Sequence, residues 1–335
     1  MSRKERVALA VGHRGPDVVP WNVELTSGEA GKVCEYLGIE REEFFEFTGN
    51  HIEKLGYNIG GAEIREGFYR DEYGVVWDRS GLDKDIGVVT ENLLKEARLD
   101  GYEFPEPAVE EVRARTEKFL DNGRDTFKFG KIGMSLFERA WSLRGMEDLM
   151  MEMHLEPGFV EGLLARIVEY NIAIIETAVE YDIDGFYFGD DYGQQSGLLM
   201  SPDTWRRFIK PGLAKMFERV RSAGKVVALH SCGNIEAILG DLIDIGLNIY
   251  QTVQPEVYDL GKLKNEFGKD LTFWGAISTQ QSLPFVSPAE VKKIVRETID
   301  VLGEDGGYIC SPTHQVPDDV PAENIAAMIE ALKGQ

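Results

Sequence analysis

The chain is short of cysteine, short of basic residues and without a long apolar run. Its three cysteines, Cys34, Cys232 and Cys310, are an odd number spread over 335 residues; that argues against a disulfide framework and for reduced thiols in a cytoplasmic setting. No apolar stretch approaches the ~18 residues of a membrane span, and residues 1–16 hold only the short run Val7 to Val11 between charged, glycine and proline residues. Lysine and arginine number 36 against 58 aspartate and glutamate, a formal charge of −22. A surface that acidic repels phosphate backbones and anionic lipid headgroups, so nucleic acid and membrane are not expected partners, and a small molecule or a protein is. Disorder is excluded in its turn by 43% hydrophobic and 10% aromatic residues, enough to fill the core of two ordinary domains or of one α/β barrel with an extension.

From about Asp125 onward, short β-rich runs each lead into an amphipathic helical stretch, the pattern of a parallel sheet with crossover helices. Six runs stand out: Thr126 to Ile132, Asp184 to Phe188, Lys225 to Leu229, Asn248 to Val253, Leu271 to Ala276 and Gly307 to Ile309. Ser201-Pro202-Asp203 opens one helix with an N-cap and a proline at the first position, and Pro211 predicts a bend inside it. Ser287-Pro288-Ala289-Glu290 has the form of a capping box. Residues 1–120 are less regular, with the first barrel strand expected near Val18 to Leu25, a hairpin near 67–78 turning at Glu72 to Gly74, and a loop from Gly101 to Pro107 entering a helix at about Val109. The expectation is an α/β fold, a single (β/α)8 TIM barrel over residues 1–335 with an irregular N-terminal extension.

In such a barrel reactive groups sit just past the C-terminal ends of the strands. Four expected strand ends carry polar or metal-competent residues: Asp190-Asp191-Tyr192, His230-Ser231-Cys232, Gln254-Pro255-Glu256 and Cys310-Ser311-Pro312-Thr313-His314. His230 and Cys232, two apart at a strand mouth, can turn toward one point, and Cys310 lies at another mouth. One imidazole and two thiolates are a soft set that favours zinc with a fourth position open. Small buried cysteines and a satisfied strand-end histidine explain the same residues equally well. Asp190 or Asp191 fits a proton donor with a raised pKa, or a turn and helix cap. Gln254 and His314 are candidates to contact substrate, and Trp21, Tyr192 and Trp274 to form the walls of an apolar pocket, although aromatics are more often core.

Gly189-Asp190-Asp191-Tyr192-Gly193-Gln194-Gln195, His230-Ser231-Cys232-Gly233-Asn234, Gln254-Pro255-Glu256 and the C-terminal run from Pro317 to Ile325 resemble the uroporphyrinogen decarboxylase superfamily. Asp71 to Trp77 is similar to a further segment of its methyltransferase-like members. The resemblance implies a TIM barrel and one of two activities. The decarboxylase branch carries an arginine-rich Met-Arg-Gln-Ala-Gly-Arg motif, where this chain has Gly12-His13-Arg14-Gly15-Pro16-Asp17, a poor receptor for a polycarboxylate. The other branch uses zinc on a His-x-Cys and a distant Cys, matched here by His230, Cys232 and Cys310, to exchange methyl groups with a corrinoid. That branch is the expected one, as a zinc-dependent methyltransferase acting on a methoxy-aromatic or other O-methyl donor, with a thiol acceptor as the second chemistry. A cofactor-free decarboxylase and a non-catalytic ligand-binding barrel are the alternatives. None of the five histidines sits in an Asp-x-His-x-x-Gly corrinoid motif, so the cobalamin is expected on a separate carrier protein. Self-association is left open.

Overall fold

β-branched and aromatic residues concentrate in the six central runs, and each run forms a strand whose faces are both covered, as a parallel sheet requires. The structure, a computed structural model, describes residues 1–81 and 87–335. Its strands are β1 (Ile52–Gly56), β2 (Ala62–Arg65), β3 (Phe68–Arg70), β4 (Val76–Asp78), β5 (Val88–Val89), β6 (Phe127–Ile132), β7 (Gly185–Gly189), β8 (Gly193–Gln194), β9 (Gly197–Leu198), β10 (Val226–His230), β11 (Ile249–Val253), β12 (Thr272–Ile277) and β13 (Tyr308–Pro312). The main sheet is parallel in the order β1-β6-β7-β10-β11-β12-β13. Strands β2 to β5 make a separate antiparallel sheet that contains the expected hairpin, with Phe68 opposite Asp78 and Arg70 opposite Val76.

The closed eight-stranded (β/α)8 TIM barrel is corrected by this topology: among the described residues the main sheet is open and has seven strands. The Val18 to Leu25 segment, expected as a first strand, lies between the two sheet edges and makes only isolated bridges, Trp21 to Cys310 and Leu25 to Val316. Two local causes keep it irregular. Pro20 has no N–H to give a ladder, and on the β1 side both backbone groups of Val23 are taken by the Asn50 amide, at 2.8 and 2.9 Å, instead of by a strand. Strand β1, which was not among the expected runs, forms the edge there.

Side chains inside the curled sheet, among them Phe129, Tyr187, Ala228, Ile249, Trp274 and Ile309, pack into one buried cluster that also takes Val7. Val7 comes from the helix Arg3–Val11, so that helix stoppers the N-terminal end of the sheet and leaves the C-terminal end open. The helix Pro202–Phe208 is capped by Ser201, whose Oγ accepts from the Thr204 N–H at 3.1 Å, and it breaks at Ile209 before a second helix Lys210–Ser222 that carries Pro211 near its start. Ser287 likewise accepts from the Glu290 N–H, at 3.4 Å, but the Glu290 carboxylate turns to Lys293 rather than completing the box. No helix among the described residues is long and apolar enough to cross a membrane.

Candidate metal centre

Strand alternation decides which side chains reach the open end. On β13, Ile309 and Ser311 face inward, whereas Cys310 faces the outer helices and is fully buried there beside the Tyr308 hydroxyl; burial pushes its thiol up to about 12. Sequence reasoning ended this strand at Ile309, but it runs on to Pro312, so Cys310 lies within the strand and not at its mouth. The structure therefore does not bring Cys310 to His230 and Cys232. It brings His314 instead: one ligand atom from each of His230, Cys232 and His314 lies within 4.8 Å of the others.

The local fold holds the first two in place. His230 ends β10, and the chain then turns through Gly233, whose φ of +75° is left-handed and whose missing Cβ would collide with the Gly193 backbone. The Gln254 Oε1 accepts from the Gly233 N–H at 2.7 Å, so Gln254 secures this loop and does not line the pocket. Asp191 Oδ1 accepts from the Cys232 N–H at 2.8 Å and lies 3.5 Å from His230 Nε2. The Cys232 Sγ is 3.4 Å from the same nitrogen.

Gln251, which sequence reasoning missed, fixes the tautomer of His230. Its Oε1 meets His230 Nδ1 and also accepts from the Tyr187 hydroxyl at 2.7 Å. An oxygen that can only accept requires a proton on Nδ1, which leaves the Nε2 lone pair aimed at the triad. Burial lowers the His230 pKa, favouring the neutral ring that binds metal. Burial and the carboxylates of Asp191 and Glu138 push the Cys232 thiol up, so its thiolate form requires a cation at the triad. Two imidazoles and one thiol are a borderline-soft set with three protein donors, and they fit zinc with a fourth position for a small molecule.

Beside the triad opens a pocket of about 450 Å³ lined by His230, His314, Asp191, Gln251, Tyr187 and Trp274, with Glu24, Lys54 and Lys131 also on its wall. Of the expected aromatic walls only Trp274 lines it. Trp21 instead stacks edge-on to His51 at 4.2 Å and donates to the Thr48 carbonyl, and Tyr192 is buried in the outer core with its hydroxyl on Asp190 at 2.8 Å. Asp190 is a cap: its carboxylate accepts from the N–H groups of Phe137 and Glu138 at 2.8 and 2.7 Å, at the start of the helix Phe137–Arg144. Asp191 is the member of the pair that reaches the pocket. Glu138 lines the pocket as well, and burial together with Asp190 and Asp191 pushes its carboxyl well above the usual range. The small sheet closes one side through buried Arg139, which pairs with Asp71 and Glu72 at 2.5 and 3.0 Å. Of the polar residues missed by sequence, Gln251 and Lys131 share one signal, an inward position in a largely apolar strand; Lys54 stands beside Glu53 in β1, and Glu138 lies on a helix outside any strand pattern.

The chain is 32% identical over 163 residues to the methylcobamide:CoM methyltransferase MtaA of Methanosarcina barkeri, and 29% identical over the same length to that protein from strain Fusaro; each match covers 49% of this chain and 45% of the relative. The chain thus spans about half the length of the curated relatives it matches. In fold it is similar to a methyltransferase from Methanosarcina mazei, with a TM-score of 0.75 and 21% identity over 100% of this chain and 99% of that one. Residues 103–335 match the uroporphyrinogen decarboxylase (URO-D) family, and the chain belongs to that family.

Proposed function

We propose that the chain is a zinc-dependent methyltransferase that removes the methyl group of a small O-methyl compound, the acceptor being the cobalt of a corrinoid brought by a separate protein. The observation that carries this reading is the convergence of His230, Cys232 and His314 beside an aromatic-walled pocket. Zinc held by His230, Cys232 and His314 would supply a Lewis acid for the ether oxygen of the substrate. The donor set favours that use over thiol alkylation: one thiolate and two imidazoles leave a dication with a net charge of about +1, whereas a second thiolate would neutralise it.

The chain's own residues do the rest. Gln251 keeps His230 in its metal-binding tautomer. Tyr187 and Trp274, both buried, wall the pocket and exclude water from the reacting oxygen. The Glu138 carboxyl, held protonated by burial and by two neighbouring carboxylates, supplies a proton to the departing oxygen. Asp191 orients the Cys232 backbone beneath the triad. An open C-terminal face gives the carrier protein its approach.

Transfer in the opposite sense, from a methylated corrinoid to a thiol, is the second reading; the named activity of the Methanosarcina barkeri relatives favours it. One assay separates the two. Zinc-loaded protein is incubated with cob(I)alamin and a methoxy-aromatic compound, and separately with methylcobalamin and a thiol, following the corrinoid spectrum. Methylation of cobalt in the first mixture, absent in Cys232→Ser, is the expected result; turnover in the second mixture alone contradicts the O-methyl reading.

A further inference from the structure

Among the charged residues that line the pocket are Glu24, Lys54 and Lys131, which lie together beside Tyr187. Two of them are matched. Glu24 Oε2 pairs with Lys54 Nζ at 2.8 Å, and its Oε1 accepts from Asn22 Nδ2 at 3.0 Å. The Lys54 ammonium also lies over the rings of Tyr187 and Trp274, at 4.8 and 5.2 Å. Lys131 feels Glu24 as well, but only at longer range, because that carboxylate is already held by Lys54. Among the described residues the Lys131 Nζ has no hydrogen bond or ion pair; its close neighbour is the Tyr187 ring, at 5.8 Å. A chain of net charge −22 therefore keeps inside this pocket a cation with no close ion pair of its own among the described residues. Burial and the like charge of Lys54 disfavour that ammonium by more than Glu24 favours it, a cost that an anion placed in the pocket offsets.

The spacing limits what the anion belongs to. The Lys131 ammonium is 5.8 Å from the centre of the Tyr187 ring, which is 6.4 Å from the centre of the His230 ring, so ammonium and imidazole are at most about 12 Å apart. For a substrate lying straight between the two, about 2.8 Å for a hydrogen bond to the ammonium and about 2 Å for each bond at a metal leave about 5–7 Å between the anion and the reacting oxygen. One benzene ring with para substituents matches that straight span.

We propose that Lys131 is the counter-ion of a carboxylate on the substrate, and that the substrate class is a single-ring methoxylated aromatic acid lying against Tyr187 and Trp274. The methoxy group rests on the methyl-transfer reading above; the carboxylate and its lysine do not.

Binding measured by calorimetry on the zinc-loaded chain tests the two parts separately. The probes are 4-methoxybenzoate, the neutral 4-methoxybenzyl alcohol and a two-carbon thiol sulfonate. In wild type the acid is expected to bind at least about 10-fold more tightly than the alcohol. Lys131→Met weakens the acid by about 10- to 100-fold and leaves the alcohol within about 2-fold, the loss of one charge-assisted hydrogen bond. Lys131→Arg, which keeps the charge, retains most of the affinity and shows that the site remains folded. Equal binding of acid and alcohol in wild type, or acid binding indifferent to Lys131→Met, overturns the proposal. Tighter Lys131-dependent binding of the thiol sulfonate than of the acid overturns the aromatic class. Lys131-dependent binding of the acid with no methyl transfer to cob(I)alamin supports the carboxylate site and defeats the methyl-transfer reading alone.

Discussion

Replacing Gln251 with leucine removes the acceptor shared by His230 Nδ1 and the Tyr187 hydroxyl. Tyr187 is buried and His230 half-buried at the pocket, and leaving a buried donor unsatisfied costs about 1–3 kcal/mol, a large part of the total stability of about 5–15 kcal/mol typical of a folded domain. The same change frees the His230 ring to rotate and to take the other tautomer, in which Nε2 carries the proton and cannot bind metal. Loss of an outer hydrogen bond of this kind typically lowers metal affinity about 10- to 100-fold. Competition for zinc against a chromophoric chelator at neutral pH, with a thermal melt in parallel, reads both effects. Gln251→Glu keeps an acceptor facing Nδ1 and is expected to bind zinc at least as tightly as wild type. A folded Gln251→Leu protein whose zinc affinity stays within about 2-fold of wild type would refute the view that this amide sets the histidine's orientation.

Other consequences can be checked with simple variants. Asp190→Ala strips the acceptor from two helix N–H groups and the Tyr192 hydroxyl, so it is expected to cost about 3 kcal/mol or more in denaturant unfolding, whereas Asp191→Ala, half-exposed, costs about 1 kcal/mol and acts mainly on zinc affinity. Glu138→Gln keeps the shape but cannot release a proton; kcat is expected to fall about 10²-fold or more in the methyl-transfer assay while zinc content and Tm are retained. His51 gives a pH signature away from the site: burial first, then Arg6 and Arg3, push its pKa from 6.5 down to about 3. Between those values the unfolded chain binds more protons than the folded one, so stability is full above about pH 6.5 and falls as pH drops toward 3. The Tm of the metal-free chain is expected to decline over that window more steeply than that of His51→Gln; parallel profiles would contradict a buried neutral His51.

The six central strands were legible because burial on both faces leaves a continuous apolar run, and all six fall within a residue or two of their expected places except the last, which runs three residues further. Closure was not legible. Whether Val18 to Leu25 completes a ladder depends on Asn50, some 25 residues away, offering its side-chain amide to Val23, and nothing local to either segment records that pairing. Strand β1 was missed because its central residues, Glu53 and Lys54, are charged; one reaches Arg124 at the outside and the other the pocket. The metal triad turned on one residue of register. With β13 ending at Pro312, alternation points Cys310 outward and places His314 at the mouth, so the histidine set aside as a substrate contact takes the place given to the cysteine. Asp190 and Asp191 were indistinguishable as adjacent letters, yet the direction of the chain after β7 sends one under a helix and the other into the pocket.

The most direct test of the account is zinc stoichiometry combined with X-ray absorption at the zinc edge, on wild type, Cys232→Ser, His314→Ala and Cys310→Ser. The expected result is about one zinc per chain with a single sulfur neighbour at about 2.3 Å and two imidazole nitrogens, unchanged in Cys310→Ser and lost or strongly weakened in the other two variants. Two sulfur neighbours in wild type, or loss of zinc on Cys310→Ser with His314→Ala unaffected, would contradict it.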